Sequence, residues 1–365
     1  MIRYKALLFI ILVNIFFVKI TVSQHLHPGF DKKEYIEMLK VSAKFGDSTY
    51  IQAFPEPEKF HFVYRSPVSG LENMWDLWTS EDSIAVISLR GTTSSSVSWL
   101  ANFYAAMVPA QGTIQLSATD SFSYKLASNP RAAVHVGWLI CLAYIAKDVM
   151  PKMDSCYGKG IKDFIIMGHS QGGAIAFLLT AYIRQLQLQQ TLHSDIQLKT
   201  YCSAGPKPGN LYFAQEYEAQ TQLGWAYNVV NSADWVPETP FSIQTVNDFN
   251  TTNPFVDAKA LIKKQRFPNN LLLKYVYNRL DKPTRRAQRN YEKYLGRMAS
   301  KIVKKSLPEF QPPAYVESNH YVRTGNTIVL LADEDYFKLY PDSKENVFIH
   351  HVHPPYLYLA KKLPD

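Results

Sequence analysis

Short runs with buried-strand character alternate along this chain with longer runs of helical character. Residues 83–91, SIAVISLRG, are apolar at Ile84, Val86 and Ile87 and stop at Gly91, which reads as a strand. Residues 135–150, HVGWLICLAYIAKDVM, read as a helix. Residues 161–168, IKDFIIMG, give a second buried strand, and residues 172–187, GGAIAFLLTAYIRQLQ, a second helix. LKTYCSAG (198–205) and LGWAYNVVNSADWVP (223–237) supply two more strands, and YVRTGNTIVLLAD (321–333) a late strand pair. Ahead of them, residues 33–47 carry Ile36, Leu39, Val41 and Phe45 among charges, as an amphipathic helix does. Strands that alternate with helices predict an α/β architecture, a mostly parallel sheet covered on both faces.

The first 23 residues follow another pattern. Arg3 and Lys5 precede an apolar stretch from Ala6 to Val18, and Thr21-Val22-Ser23 follows. A basic start, a short apolar run and small residues predict a signal peptide cleaved near Ser23, and a secreted or periplasmic protein. The other reading is an uncleaved anchor, but the run is short for a membrane span and Lys19 interrupts its end. The rest, 24–365, is expected to be one domain. Hydrophobic residues make up 47% of the 365 positions, enough for one large core or two modest ones. Cys141, Cys156 and Cys202 allow one intrachain disulfide at most and have no metal-ligand spacing.

Charge changes this picture in one place. The formal net charge is +8, yet residues 259–305 hold 15 Lys/Arg against Asp281 and Glu292 alone, a local balance of +13. One basic segment on a mildly acidic body is a local feature and gives no reason to expect nucleic acid as a partner.

The candidate chemistry centres on Ser170. Gly168-His169-Ser170-Gln171-Gly172 lies between a strand and a helix, with Gly173 following. A G-x-S-x-G turn in that setting lifts a serine on a sharp corner and aims a helix N-terminus at it. A tight packing turn is the plainer alternative. A nucleophilic serine needs a base and an acid, which in this architecture follow as acid and then histidine. Asp234, just past a strand and flanked by Pro237 and Pro240, is the candidate acid, with Asp195 and Asp248 in less defined settings. The candidate bases are His320 and the late cluster His350, His351 and His353. Such a cluster also suggests metal, though no further ligand type stands at telling spacing.

Several blocks in order resemble the class 3 lipase family. AVISLRGTTSSSVSWLANF is similar to the family's strand, Arg-Gly-Thr/Ser and downstream Trp, and VHVGWLICL to its Val-His-x-Gly-Phe, with Trp138 for Phe. IIMGHSQGGAIAFLL is similar to its Gly-His-Ser-Leu-Gly-Gly-Ala, with Gln171 for Leu. TYCSAGPKPGN is similar to its Gly-x-Pro-x-Val-Gly-Asn block, with Ala-Gly before the proline and Pro208 for Val, and NVVNSADWVPETP to its Asn-x-x-Asp-x-Val-Pro block. The likeness covers roughly residues 80–240 and the last twenty. It implies an α/β-hydrolase fold and a serine carboxylic ester hydrolase working through an acyl-enzyme without a cofactor. It assigns Ser170 as nucleophile, Asp234 as acid, and Thr92 and Gln171 as the two halves of an oxyanion hole. The family's His-x-x-Tyr selects His353, with Tyr356, as base; His351 would need a looser match. His135 matches a family position read as structural. Acylglycerols are the favoured substrates, with phospholipids and short esters as competitors.

The departure from the family is long. Between Asp234 and His353 the chain inserts a basic helical segment at about residues 255–310, read as two amphipathic helices broken near Pro283. It is either a cap on the sheet's end or a surface for peripheral contact with an anionic membrane or envelope through residues 259–305. Residues 104–120, where an interfacial lid would follow the oxyanion block, are only weakly apolar. A lipid- or envelope-binding protein without catalysis is the alternative of a different class.

Overall fold

The computed structural model describes residues 25–46 and 48–364; the signal peptide read over residues 1–23 lies outside them. The first helix, α1 (Lys32–Ser42), is N-capped by Asp31, whose carboxylate accepts the N–H of Lys33 and Glu34. The apolar runs form a seven-stranded sheet: β1 (His61–Arg65), β2 (Trp75–Thr79), β3 (Ile84–Leu89), β4 (Asp163–His169), β5 (Gln197–Ser203), β6 (Ala226–Asn231) and β7 (Asn326–Leu330). Their order across the sheet is their order along the chain. β1, β2 and β3 are antiparallel, and every pair from β3 to β7 is parallel.

Parallel neighbours need long connections. Between β3 and β4 the chain makes α2 (Ser96–Phe103) and α3 (Val136–Gly158); between β4 and β5, α4 (Gln171–Leu188); between β5 and β6, α5 (Leu211–Gln220). A strand side chain alternates between faces, so the central strands feed two cores. Ile87, Leu89, Phe164, Ile166 and Leu198 pack under α3, α4 and α5. Val86, Ile165, Met167, Tyr201 and Val229 pack on the other face against α1 and the C-terminal helix. This is the α/β-hydrolase arrangement, with the carboxyl ends of β4 and β6 opening at one rim. All three cysteines are buried and free. Among the described residues, no helix is long and apolar enough to cross a membrane.

Two local expectations change, and the segment where a lid would stand takes a definite form. The late strands do not pair with each other. β7 joins the central sheet beside β6, while Tyr321–Val322 joins a separate four-stranded sheet with Met107–Pro109, Ala133–His135 and Gly209–Asn210. Residues 104–120 are sheet and hairpin rather than a lid, because Val108, Ile114 and Leu116 are buried in the core. The insertion forms α6 (Ala258–Lys263), α7 (Asn269–Glu292), a π turn at Lys293–Met298 and α8 (Ala299–Ser306). Pro283 sits inside α7 without breaking it. A proline removes one N–H, here the donor for the Arg279 carbonyl, and disfavours the preceding turn, yet the helix runs unbroken from Asn269 to Glu292. The breaks fall at residues 264–268 and at the π turn instead.

Candidate active site

Ser170 stands between β4 and α4 with φ 61° and ψ −130°, a left-handed conformation that costs a non-glycine residue about 1–3 kcal/mol. Close packing enforces it. A Cβ on Gly168 would lie 2.1 Å from the Gly172 carbonyl oxygen, and one on Gly172 would lie 2.2 Å from that of Leu89. The Ser170 N–H donates to the Ser203 carbonyl at the end of β5 (2.9 Å), which ties the corner to the neighbouring strand. The serine side chain is thereby raised at the rim.

Two loops from the same rim meet it. The Asp234 turn follows β6, and its carboxylate is buried. Oδ1 accepts the Val236 N–H (3.0 Å), and Oδ2 accepts the Tyr356 hydroxyl (2.8 Å) and the Nδ1–H of His351 (2.7 Å). The other nitrogen of His351, Nε2, lies 2.8 Å from Ser170 Oγ. Because the carboxylate takes the Nδ1 proton, Nε2 is left as the acceptor for the serine hydroxyl.

The expectation of His353 in this position is therefore corrected. His353 opens the C-terminal helix, α9 (His353–Lys362), and its ring turns into the layer beneath the sheet. Its Nε2 lies 2.9 Å from Ser42 Oγ and its Nδ1 2.9 Å from Tyr50 Oη. Burial, with electrostatic repulsion from the His351 ring as a second cause, lowers its pKa to about 3. His350 points elsewhere again, to Tyr336 Oη (2.8 Å) and Asp342 Oδ1 (3.0 Å). His320 is partly buried near Asp248 and Lys207, and desolvation lowers its pKa. Among the described residues, no group of three or more His, Cys, Asp or Glu is placed to hold a metal ion. Asp248 caps its own turn through Thr245, and Asp195 bonds Tyr157 and Lys162.

His169 flanks the nucleophile and grips the backbone. Its Nε2–H donates to the carbonyl of His351 (2.7 Å). A carbonyl can only accept, and burial holds the pKa of this ring well below the usual range, so Nδ1 accepts from Ser203 Oγ (3.0 Å). Ser203 in turn accepts from Tyr35 Oη (2.8 Å). This one-way chain holds the loop that carries His351.

Beside the serine, Thr92 follows β3 and Gln171 is the first residue of α4, where a backbone N–H has no carbonyl one turn earlier. One residue that sequence reasoning missed joins them. Asn102 Nδ2 donates to Thr92 Oγ1 (2.9 Å), while Asn102 Oδ1 accepts from Trp138 Nε1 and from Gln171 Nε2, both at 3.0 Å. Trp138 and Gln171 are the two substitutions in the matched blocks that add a side-chain donor. Two new donors near one turn were the available signal that an acceptor must lie between them. His135 Nε2 donates to the Asn102 carbonyl (3.2 Å), burial lowers its pKa to about 3, and its ring stacks on Trp138 at 3.7 Å. Ser170, His351, Thr92 and Gln171 all open into a cavity of about 730 Å³ with a mostly apolar wall, including Trp99, Phe103, Trp235, Phe241, Leu295 and Phe348. Phe348 stands 5.9 Å from the His351 ring.

Residues 86–244 match the family described as lipase (class 3). The chain is 24% identical over 210 residues to phospholipase A1-Ialpha2, chloroplastic, of Arabidopsis thaliana, covering 49% of this chain and 43% of that protein. It is 25% identical over 190 residues to the secreted mono- and diacylglycerol lipase 1 of Fusarium solani, covering 51% and 49%. The chain thus spans about half the length of the curated relatives it matches. Among solved structures, the Rhizomucor miehei triacylglyceride lipase aligns at 20% identity over 59% of this chain and 77% of that one, TM-score 0.43. Lipase II of Rhizopus niveus aligns at 21% over 57% and 74%, TM-score 0.40.

Two predictions follow from this geometry. Gly172→Ala drives a methyl into the Leu89 carbonyl and is expected to cost at least about 2–3 kcal/mol, read by denaturant unfolding. An unchanged midpoint would mean that the corner can relax. His353, whose pKa falls from 6.5 unfolded to about 3 folded, binds its proton in the unfolded state first, so stability is lost as pH drops through that window. In His353→Asn the loss between neutral pH and pH ~4 should shrink by an amount on the order of 1–3 kcal/mol. Parallel pH–stability curves for parent and variant would rule the buried neutral ring out.

Proposed function

We propose, on the premise that this chain belongs to the class 3 lipase family, that it is an exported serine hydrolase cleaving carboxylic esters, with acylglycerols as favoured substrates. The observation that carries the reading is the continuous hydrogen-bond line from Ser170 Oγ through His351 to Asp234, at 2.8 and 2.7 Å, at the floor of an apolar cavity. Ser170 Oγ attacks the ester carbonyl while His351 Nε2 takes its proton. Asp234 holds the ring in that tautomer and stabilises the imidazolium. The backbone N–H groups of Thr92 and Gln171, both lining the cavity beside Ser170, are assigned to the oxyanion. Thr92 Oγ1 already accepts from Asn102, so its own proton is directed away from that bond and is available to the same oxygen. Collapse returns the proton from Nε2 to the departing alcohol. Water, activated by the same nitrogen, then releases the acid and frees Ser170. The acyl chain lies along the aromatic wall, where burial rewards apolar substrates. No cofactor enters these steps.

The family name and the apolar cavity both support an ester of a fatty acid. The charged and small-residue pattern of residues 1–23 supports export, as does the Fusarium relative described as secreted. Residues 24–365 then form one hydrolase domain with a helical insertion at about 255–310.

The test is hydrolysis of nitrophenyl esters from short to long chain, beside a diacylglycerol and a phospholipid. Ser170→Ala should lose activity by several orders of magnitude with its fold intact; retained activity would end the reading. Asp234→Asn should lower turnover by roughly 10⁴, whereas a few-fold loss would reduce Asp234 to a loop-shaping role. His351→Ala should match Ser170→Ala. His353→Asn should keep turnover within about tenfold of the parent, since a structural histidine acts only through packing. If these two histidine variants exchanged their behaviour, the assignment of the base would fall.

A further inference from the structure

Among the described residues, the insertion leaves an apolar and basic face with no protein opposite it. α7 is 24 residues long, about 36 Å at the helical rise. Its C-terminal half is seated on the body: Asp281, Gln288 and Tyr291 are buried, and Tyr291 lines the cavity above Ser170. The next turn adds Leu295, whose carbonyl accepts the Ala106 N–H (3.0 Å). The N-terminal half projects. Leu271, Leu272, Tyr275, Val276 and Leu280 are all exposed, Leu272 at 63% and Leu280 at 69%, and Phe267 in the preceding turn reaches 79%. A soluble surface rarely leaves so many large apolar side chains contiguous without use.

Charge identifies the partner. Helical spacing of three and four places Leu272, Tyr275 and Val276 on one outward stripe with Arg279, Lys282 and Arg286, opposite the buried Asp281 and Gln288. The three basic positions that continue this stripe, Arg279, Lys282 and Arg286, are exposed, as is Arg289 one turn on. The segment's two acids are each engaged at short range, Asp281 by Arg285 and Glu292 by Arg297. An apolar tip backed by a basic row suits an interface whose interior is hydrocarbon and whose surface is negative. A second copy of the same +13 segment would meet its own charge.

We infer that α7 is the docking face for an anionic lipid surface, and that it delivers the cavity mouth to that surface because Tyr291 of α7 and Leu295 of the turn that follows it both line the cavity. The inference deepens the hydrolase reading by naming where its substrate is met. It is distinct from the class's lid, since it stands on the insertion between the acid and the base.

The experiment is vesicle flotation with the full chain as Ser170→Ala, which removes turnover from the measurement. Vesicles of phosphatidylcholine alone are compared with vesicles of phosphatidylcholine and phosphatidylglycerol in equal parts. Binding is expected to the anionic vesicles and to weaken with added salt. Leu272→Asp with Val276→Asp should lower it at least about tenfold, and so should Lys282→Glu with Arg286→Glu and Arg289→Glu. The same substitutions on intact Ser170 should leave thermal melting and the hydrolysis of a soluble short-chain ester unchanged. Equal binding to both vesicle types would overturn the inference, as would variants that float like the parent. So would a parent dimer, seen by sedimentation, that the Asp pair dissociates. If face-dependent flotation holds while no ester is cleaved, the docking face stands and the hydrolase reading alone fails; ester cleavage without flotation gives the reverse.

Discussion

The backbone of one residue sets the terms for everything around it. Ser170 sits at φ 61°, and that conformation exists only because a strand, a helix and a neighbouring strand meet there at the distance of a carbonyl from an α-carbon. Gly168 and Gly172 are the points of closest approach, and the Ser170 N–H is taken by Ser203. The sheet needs this crossing to bury both faces, so the strain at the serine is sustained by the burial of two cores. A less tightly packed crossing would let the serine relax into the turn and lower its hydroxyl from the rim.

What surrounds the serine is organised by direction of donation. Asp234 accepts three bonds and is thereby oriented with one oxygen facing His351. The His351 backbone is held from the other side by a chain that runs from Tyr35 through Ser203 and His169. On the far flank, Asn102 collects donors from Trp138 and Gln171 and passes one on to Thr92. Along these three lines every donor meets an acceptor. The result is a rim whose loops, though far apart in sequence, have little freedom to move independently.

The insertion follows different physics. Its inner end is built like the body, with Tyr291 and Gly296 packed on Ala105 and Ala106. Its outer end keeps apolar side chains in solvent among unopposed basic ones. A helix of that composition gains little from its own fold beyond backbone hydrogen bonds, and its surface is costly unless something else covers it. The chain thus combines a rigid centre with a projecting element whose stability and use depend on what it touches.

Patterns of local origin were legible in the chain itself. Short continuous apolar runs marked the strands, the glycines around Ser170 marked the corner, and the Asp234 turn announced itself by its prolines and its place after a strand. These depend on residues adjacent in sequence, so adjacency suffices to read them. The base was not legible in the same way. Three histidines lie within four positions, and which of them meets Ser170 depends on where the chain joins α9. Pro354 and Pro355 start that helix at His353, which turns His353 down toward Ser42 and leaves His351 on the approach to the rim. Tyr356, which the His-x-x-Tyr pattern paired with His353, instead bonds Asp234 from one turn into the helix. Asn102 was equally silent, because a lone asparagine in a short helix carries no pattern. Only the tertiary fold brought Trp138 and Gln171 to it, since their donors arrive from two other helices. The sequence by itself determined which elements form and which corner holds the serine; the packing of distant elements decided which side chains that corner meets.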